Sequence, residues 1–367
     1  MSGRIILFGA TGYTGRLTAA ALVARGDRPV LAGRNSVALA ALATELGTNL
    51  PTALADVSDP ASVRALLEPG DVIVATVGPF ARWGDPAAEA AIDAGAAYID
   101  STGEPAFIRR VFEQFGPRAQ RTGAGLVTAF GYDWVPGNLA GALALREAGD
   151  EAARIDIGYF TTGGGLGGMS GGTRASVAGA LLEPSFGFRD GVVRTERGAA
   201  RVRSFAIGGE PRQAIAVGSS EHYALPKLQP SLREVNAYLG WFGAASRPMQ
   251  VFSAANSALT RIPGVKAGLG AMAARFVKTS TGGPDEDARA GTGSAIIAIA
   301  YGRASEELAT VEVRGVNGYE FTARILAWGA AHAAAEGLEG AGALGPAAAF
   351  GLDTLVAGCA EAGIEVV

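Results

Sequence analysis

The residues best suited to chemistry begin near the N-terminus, where Gly9-Ala10-Thr11-Gly12-Tyr13-Thr14-Gly15 follows the apolar run Ile5-Ile6-Leu7-Phe8. Glycines spaced GxxGxxG, a variant of the commoner GxGxxG, let a backbone turn approach a pyrophosphate closely. The Ala/Leu-rich stretch from Arg16 to Arg25 predicts a helix whose start would aim backbone N–H groups at that charge. With 54 glycines in 367 residues, such triplets arise by chance. The apolar strand before this one and the helix behind it therefore carry the reading of a dinucleotide site. About twenty positions past Gly15, the second apolar strand, Pro29 to Gly33, ends in Arg34-Asn35. An acidic residue there would read the ribose 2′-hydroxyl of NAD, whereas arginine accommodates a 2′-phosphate. NADP is thus favoured over NAD, the plain alternative being a surface arginine at a strand end.

Later strand ends supply further candidates. Asp56 closes the strand-like Pro51–Asp56 and is read as a contact to the adenine half of the cofactor, or else as the start of a turn with Ser58 and Asp59. Val77-Gly78-Pro79-Phe80 breaks the fourth apolar strand and could hold a nicotinamide ribose through backbone groups. Ser101, Thr102, Gly103 and Glu104 follow the fifth and face the same crevice, or else cap the helix that opens at Pro105. Asp133 is read with the cofactor set. Proton donors are sought in Tyr132, at the end of a sixth strand spanning Gly125 to Phe130, and in His222 and Tyr223 of Ser220-Glu221-His222-Tyr223. Tyr223 and Lys227 have the Tyr-x-x-x-Lys spacing of short-chain dehydrogenases, but Pro226 lies between them and argues against the unbroken helix that this chemistry needs.

Composition narrows the function classes. A net charge of −4 without a basic stripe argues against nucleic acid as a partner. Cys359 is the lone cysteine, and His222 and His332 are the two histidines, which excludes an internal disulfide and argues against a zinc enzyme and any metal centre. No apolar run is long enough to span a bilayer, and no charged leader precedes the first strand, so a cytoplasmic location is expected.

Up to about residue 130, strand-like and helix-like segments alternate as in a parallel α/β sheet. Beyond it, Ala153–Phe160, Arg201–Ile207, Ala214–Gly218, Glu234–Leu239, Ser294–Gly302 and Leu308–Arg314 predict a second sheet of about six strands. Thr161 to Gly172, with Met169, reads as a glycine-dense connection, and Thr173 to Leu182 as helix. The partly helical Trp241 to Phe276 carries Trp241, Phe242, Met249, Phe252, Leu259 and Met272, an apolar set that could cover a greasy substrate or pack in a core or homodimer. Residues 329–349 read as helix, loop, helix.

Taken in order, GATGYTG, the AGR ending of the second strand, VGPF, YIDSTGE and GYDWVPGN resemble the saccharopine dehydrogenase-like oxidoreductase family. The likeness is strongest to its bacterial branch, which includes trans-acting enoyl reductases. It covers residues 1–145, with an echo in Leu344–Gly351 and Ala362–Ile364. The resemblance implies a Rossmann-type doubly wound parallel sheet over residues 1–135. A mixed α+β domain at 136–320 would be inserted before C-terminal helices at 321–367, which return to the first domain. It also implies use of NADP or NAD, and an enoyl reductase acting on a lipid or polyketide intermediate as its most specific version. Saccharopine itself would ask for several basic groups to bind its carboxylates; Arg174, Arg189 and Arg201 could serve, but their spacing does not single them out. The expectation is an NADPH-dependent oxidoreductase acting on a C=C, C=O or C=N of a small, apolar or acyl metabolite, the rival being a non-catalytic NADP-binding scaffold or subunit.

Overall fold

The computed structural model describes residues 3–47, 49–163, 184–259 and 282–367. Chain contacts divide it into two compact units, one of residues 1–139 with 315–365 and one of residues 140–314 with 366–367.

In the first unit, short apolar runs form the strands β1 (Ile5–Phe8), β2 (Val30–Gly33), β3 (Thr52–Leu54), β4 (Val72–Ala75), β5 (Ala97–Asp100) and β6 (Gly125–Val127). With the late strand Gly342–Ala343 they make one seven-stranded parallel sheet in the order Gly342–Ala343, β6, β5, β4, β1, β2, β3. All four residues of β1 and of β4 are buried, which is why both read as continuous apolar runs. Strand order reverses between β1 and β4, the point at which such sheets open a ligand crevice at their carboxyl ends. The helix Gly318–Glu336 packs against the helix Tyr13–Ala24 that follows the glycine turn.

The stretch expected as helix, loop, helix over 329–349 also holds a sheet strand. The Gly342 amide donates to the Ala124 carbonyl and the Leu344 amide to that of Leu126, at 2.8 and 2.9 Å. Two residues are too few to show a strand period, so this pairing leaves no pattern in the sequence.

The second unit contains β7 (Arg154–Gly163), β8 (Pro184–Arg189), β9 (Val192–Arg197), β10 (Val202–Ile207), β11 (Glu210–Val217), β12 (Glu234–Leu239), β13 (Thr292–Tyr301) and β14 (Glu307–Gly315). The strands run in the order β10, β11, β12, β7, β13, β14, with the β8–β9 hairpin joined to β12. β7 pairs parallel with β12 and antiparallel with β13, so the sheet is mixed. Phe160, Phe205, Tyr238 and Ile297 form part of its apolar core. The hairpin adds two strands to the six expected. Its turn, Asp190-Gly191, takes positive φ at both residues (52° and 83°), and an Asp-Gly pair between strand-forming runs is the sequence signal that marks it.

A second difference concerns Pro226. The helix Glu221–Leu228 runs through it. Proline removes only the bond that its own amide would make to the turn before, a small loss in an eight-residue helix held by the bonds of its neighbours. The readings for residues 164–172, including Met169, for the helix 173–182 and for Met272 lie outside the described residues. Among the described residues, no helix is long and apolar enough to cross a membrane.

Candidate functional site at the strand ends of the first unit

The three glycines of the first turn have different tasks. Gly9 takes φ +90°, and a Cβ there would lie 2.7 Å from Thr76 Oγ1. At Gly15 a Cβ would come within 2.2 Å of the Gly9 carbonyl oxygen, so this glycine lets the helix lie against the strand end. Gly12 differs from both. Its φ of −72° suits any residue, and a Cβ would meet only the Gly9 oxygen, at 3.3 Å. Gly12 is the N-cap of the helix Tyr13–Ala24, which has no side-chain cap and no acidic residue in its first turn. Thr11, Tyr13 and Thr14 stay half-buried around it. The result is open space at a positive helix end, a cradle that a side chain at Gly12 would fill and that suits a pyrophosphate.

Arg34 is exposed at the end of β2. Asp56 lies across from it, and its carboxylate is engaged: Oδ1 accepts from the Ser58 amide and hydroxyl, both at 2.8 Å. Those two bonds, with a smaller contribution from the Arg34 charge, hold Asp56 below the usual carboxylate range. No carboxylate adjoins Arg34 in sequence, yet folding brings one within its electrostatic reach.

Glu104 does not reach out of the crevice. Its two oxygens accept from the backbone amides of Phe80 and Ala81 at 2.8 and 2.9 Å, pinning the turn after β4 to the turn after β5. Thr102 is buried and accepts from the Glu104 amide. The Phe80 ring is buried against Phe107. Gly78 and Pro79 remain exposed, and Val77, Ser101 and Gly103 half-buried. Beneath them Asp100, fully buried, accepts from the Thr102 and Ala129 amides and the Thr128 hydroxyl at 2.7–2.9 Å. Burial outweighs these bonds and pushes its pKa up to about 6. Removing the clamp with Glu104→Ala is expected to cost about 1–3 kcal/mol, because two helix-start amides lose a charged acceptor; urea unfolding measures it.

Tyr132 and Asp133 follow β6. Tyr132 is buried, its amide donates to Thr322 Oγ1 at 2.9 Å, and its ring lies where a Cβ on Gly318 would touch it at 3.0 Å. Asp133 as a residue is half-buried, but its Oδ1 is shut off from solvent and has no hydrogen-bond partner among the described residues. Its Oδ2 sits where a Cβ on Gly103 would come within 2.7 Å. Desolvation raises its pKa to about 7. A carboxyl half-protonated at neutral pH can give or take a proton there.

Sequence reasoning missed the start of the helix Gly318–Glu336. Thr322 holds the Tyr132 backbone, Gly318 leaves room for its ring, and Tyr319 packs edge-on against Tyr13 at 5.3 Å between centroids. These contacts span some 190 to 300 positions, and the cap Asn317 was the only local mark of this helix start.

His222 and Tyr223 belong to the second unit, whereas the cofactor candidates and Tyr132 belong to the first. Both rings pack on Phe186. His222 is buried, and its Nδ1 accepts from the Ser219 amide at 3.2 Å. Burial lowers its pKa to about 4, which makes it a neutral imidazole at pH 7 and not the ready proton donor that a pKa near neutrality would provide. Arg189 and Arg201 both close on Glu196, at 3.1 and 2.6 Å. Arg174 is outside the described residues.

A reversed parallel sheet with a glycine cradle at its switch point defines a dinucleotide-binding oxidoreductase domain. Residues 5–126 match the model of the saccharopine dehydrogenase NADP-binding domain. The chain belongs to the saccharopine dehydrogenase-like oxidoreductase family. It is 31% identical over 304 residues to a Mycobacterium tuberculosis protein named as a trans-acting enoyl reductase, covering 75% of this chain and 72% of that one. A trans-acting enoyl reductase of Mycobacterium bovis is 40% identical over 140 residues, 37% of this chain and 34% of its own. Among solved structures, the saccharopine dehydrogenase (L-Glu forming) of Saccharomyces cerevisiae aligns over the whole of both chains at a TM-score of 0.58 and 13% identity, a likeness of fold.

Proposed function

We propose that this chain is an NADPH-dependent enoyl reductase acting on an acyl chain of a lipid or polyketide intermediate, with Asp133 supplying the proton. The bound cofactor would supply a hydride to the β-carbon of the activated double bond. The chain's own part is to hold the pyrophosphate at Gly9 to Gly15 and the 2′-phosphate at Arg34, and to frame the reacting end with Val77 to Pro79, Ser101 and Gly103. The shielded Asp133 carboxyl carries the reading: it follows β6, with its Oδ2 against Gly103 beyond the carboxyl end of β5, and its pKa is raised to about 7, and protonation of the α-carbon requires such a group. The relatives named as trans-acting enoyl reductases support the choice of C=C. The pairing of Arg189 and Arg201 with Glu196 argues against a polycarboxylate substrate. Anaerobic NADPH oxidation with a panel of enoyl, keto and imine acceptors tests the proposal. Turnover confined to keto or imine acceptors contradicts it, and tight NADPH binding without turnover of any acceptor makes the chain a non-catalytic NADP-binding subunit.

Cofactor preference follows from Arg34. A charge-assisted contact to the 2′-phosphate contributes about 1.5–3 kcal/mol, one to two powers of ten in affinity. Arg34→Ala should therefore weaken NADPH about tenfold or more and leave NADH nearly unchanged. Asp56→Asn removes the opposing charge and should tighten NADPH slightly. Fluorescence titration with both cofactors measures these effects, and equal losses for both would mean that Arg34 stacks on the adenine.

A further inference from the structure

A carboxylate without a basic partner is costly to bury, and Asp100 is completely buried with only neutral donors around it among the described residues. What it holds is a pair of turns. Its Oδ1 accepts from the Thr102 amide at 2.8 Å, in the turn after β5, and from the Ala129 amide at 2.9 Å, in the turn after β6. Its Oδ2 accepts from the Thr128 hydroxyl at 2.7 Å, and the Phe130 amide donates to the Asp100 carbonyl at 2.7 Å. Ala129 has φ +59°, a left-handed conformation that an L-residue keeps only when it is held there. Asp100 holds its amide, and the Trp134 amide closes on its carbonyl at 2.8 Å. Asp133 lies just inside that closed loop. Its Oδ2 sits where a Cβ on Gly103, the neighbour of Thr102, would come within 2.7 Å.

Two amides on one oxygen therefore set the spacing between the turn that carries Gly103 and the turn that carries Asp133. We infer that Asp100 is a positioning residue, whose Oδ1 keeps the Asp133 carboxyl against Gly103 and out of water. The inference rests on the reading of Asp133 as proton donor, and adds what keeps that acid in place. Burial is what raises the Asp133 pKa to about 7, so a loop that opened to water would lower it. Of the other titratable groups here, Tyr98 acts on Asp100 from two residues earlier on β5, and Glu104 is taken up by the Phe80 and Ala81 amides. The accepting oxygen matters and not the charge, because an amide oxygen in the same place can accept from both N–H groups.

Asp100→Ala and Asp100→Asn test it, read by carbon-13 NMR titration of the Asp133 carboxyl in the full chain without NADPH or acceptor. Asp100→Ala should release the loop and lower the Asp133 midpoint by about one unit or more, toward the ordinary value of about 4. Asp100→Asn keeps the oxygen and should keep the midpoint near that of the wild type. Because Asp100→Ala leaves the strain at position 129 unsupported, it is also made with Ala129→Gly, since glycine takes φ +59° freely. Thermal unfolding checks the fold of each, and the combined variant should show the same lowered midpoint. Enoyl turnover should fall about ten- to a hundredfold in both alanine variants and recover in Asp100→Asn. A wild-type midpoint in the alanine variants, or an equally lowered one in Asp100→Asn, overturns the inference. Midpoints as expected without enoyl turnover in any form, wild type included, support the positioning and count against the proposed reaction alone.

Discussion

Gly12→Val is expected to abolish NADPH binding while the protein keeps its fold. The backbone at Gly12 already has a conformation open to any residue, and the nearest atom to an added Cβ is the Gly9 carbonyl oxygen at 3.3 Å. The cost to the helix start is therefore about 0.5–2 kcal/mol. The valine methyls would instead fill the space in front of the first-turn amides, where a pyrophosphate must sit. Gly15→Ala is the contrasting variant, because its Cβ would lie 2.2 Å from the Gly9 oxygen and force the helix off the strand. That variant should lose stability first and binding as a consequence. Isothermal titration with NADPH, together with thermal unfolding, separates the two. Wild-type affinity in Gly12→Val would remove the cofactor from this turn.

Asp133→Asn is expected to reduce turnover of an enoyl substrate by about two to four powers of ten, the usual worth of a positioned proton donor. NADPH affinity should change far less. With a pKa near 7, the protonated acid of the wild type is depleted as pH rises, so its rate should fall above about pH 7. The variant should lose that limb of the profile. Stability supplies a second readout that needs no substrate. Because the native carboxyl holds its proton more tightly than the unfolded one, its contribution is fully present below about pH 4 and is lost as pH rises through about 7. Asp133→Asn should therefore gain stability relative to wild type between pH 4 and pH 8 in urea titrations. A pH profile identical to wild type would assign the proton to another group.

The glycine turn, the strand ends and the parallel alternation were legible because their signals are local: an apolar run, a break, a helix start. What was hidden depends on distant partners. Glu104 looked like a crevice residue, and its acceptor role follows only from the Phe80 and Ala81 amides, which the fold brings to it. Asp133 drew notice as a cofactor contact, but its proton affinity arises from desolvation beside Gly103, which no spacing encodes. Tyr132 depends on Thr322, from the far end of the chain. The β8–β9 hairpin, by contrast, was readable in Asp190-Gly191 and was passed over. Pro226 shows the reverse failure, a local rule overridden by the bonds of neighbouring residues.

The first unit is completed by residues 315–365, after residues 140–314 of the second have been made. On the ribosome, β1 to β6 emerge early, yet the Gly342–Ala343 strand that lines the edge of β6 and the helix carrying Thr322 and Tyr319 are translated last. Until then Tyr132 lacks the hydroxyl that holds its backbone, and β6 is an unpaired edge. The nascent chain must therefore carry an unfinished crevice through synthesis of the entire inserted unit. A polypeptide released early, however faithfully it spells out the glycine turn, ends without the wall that closes it.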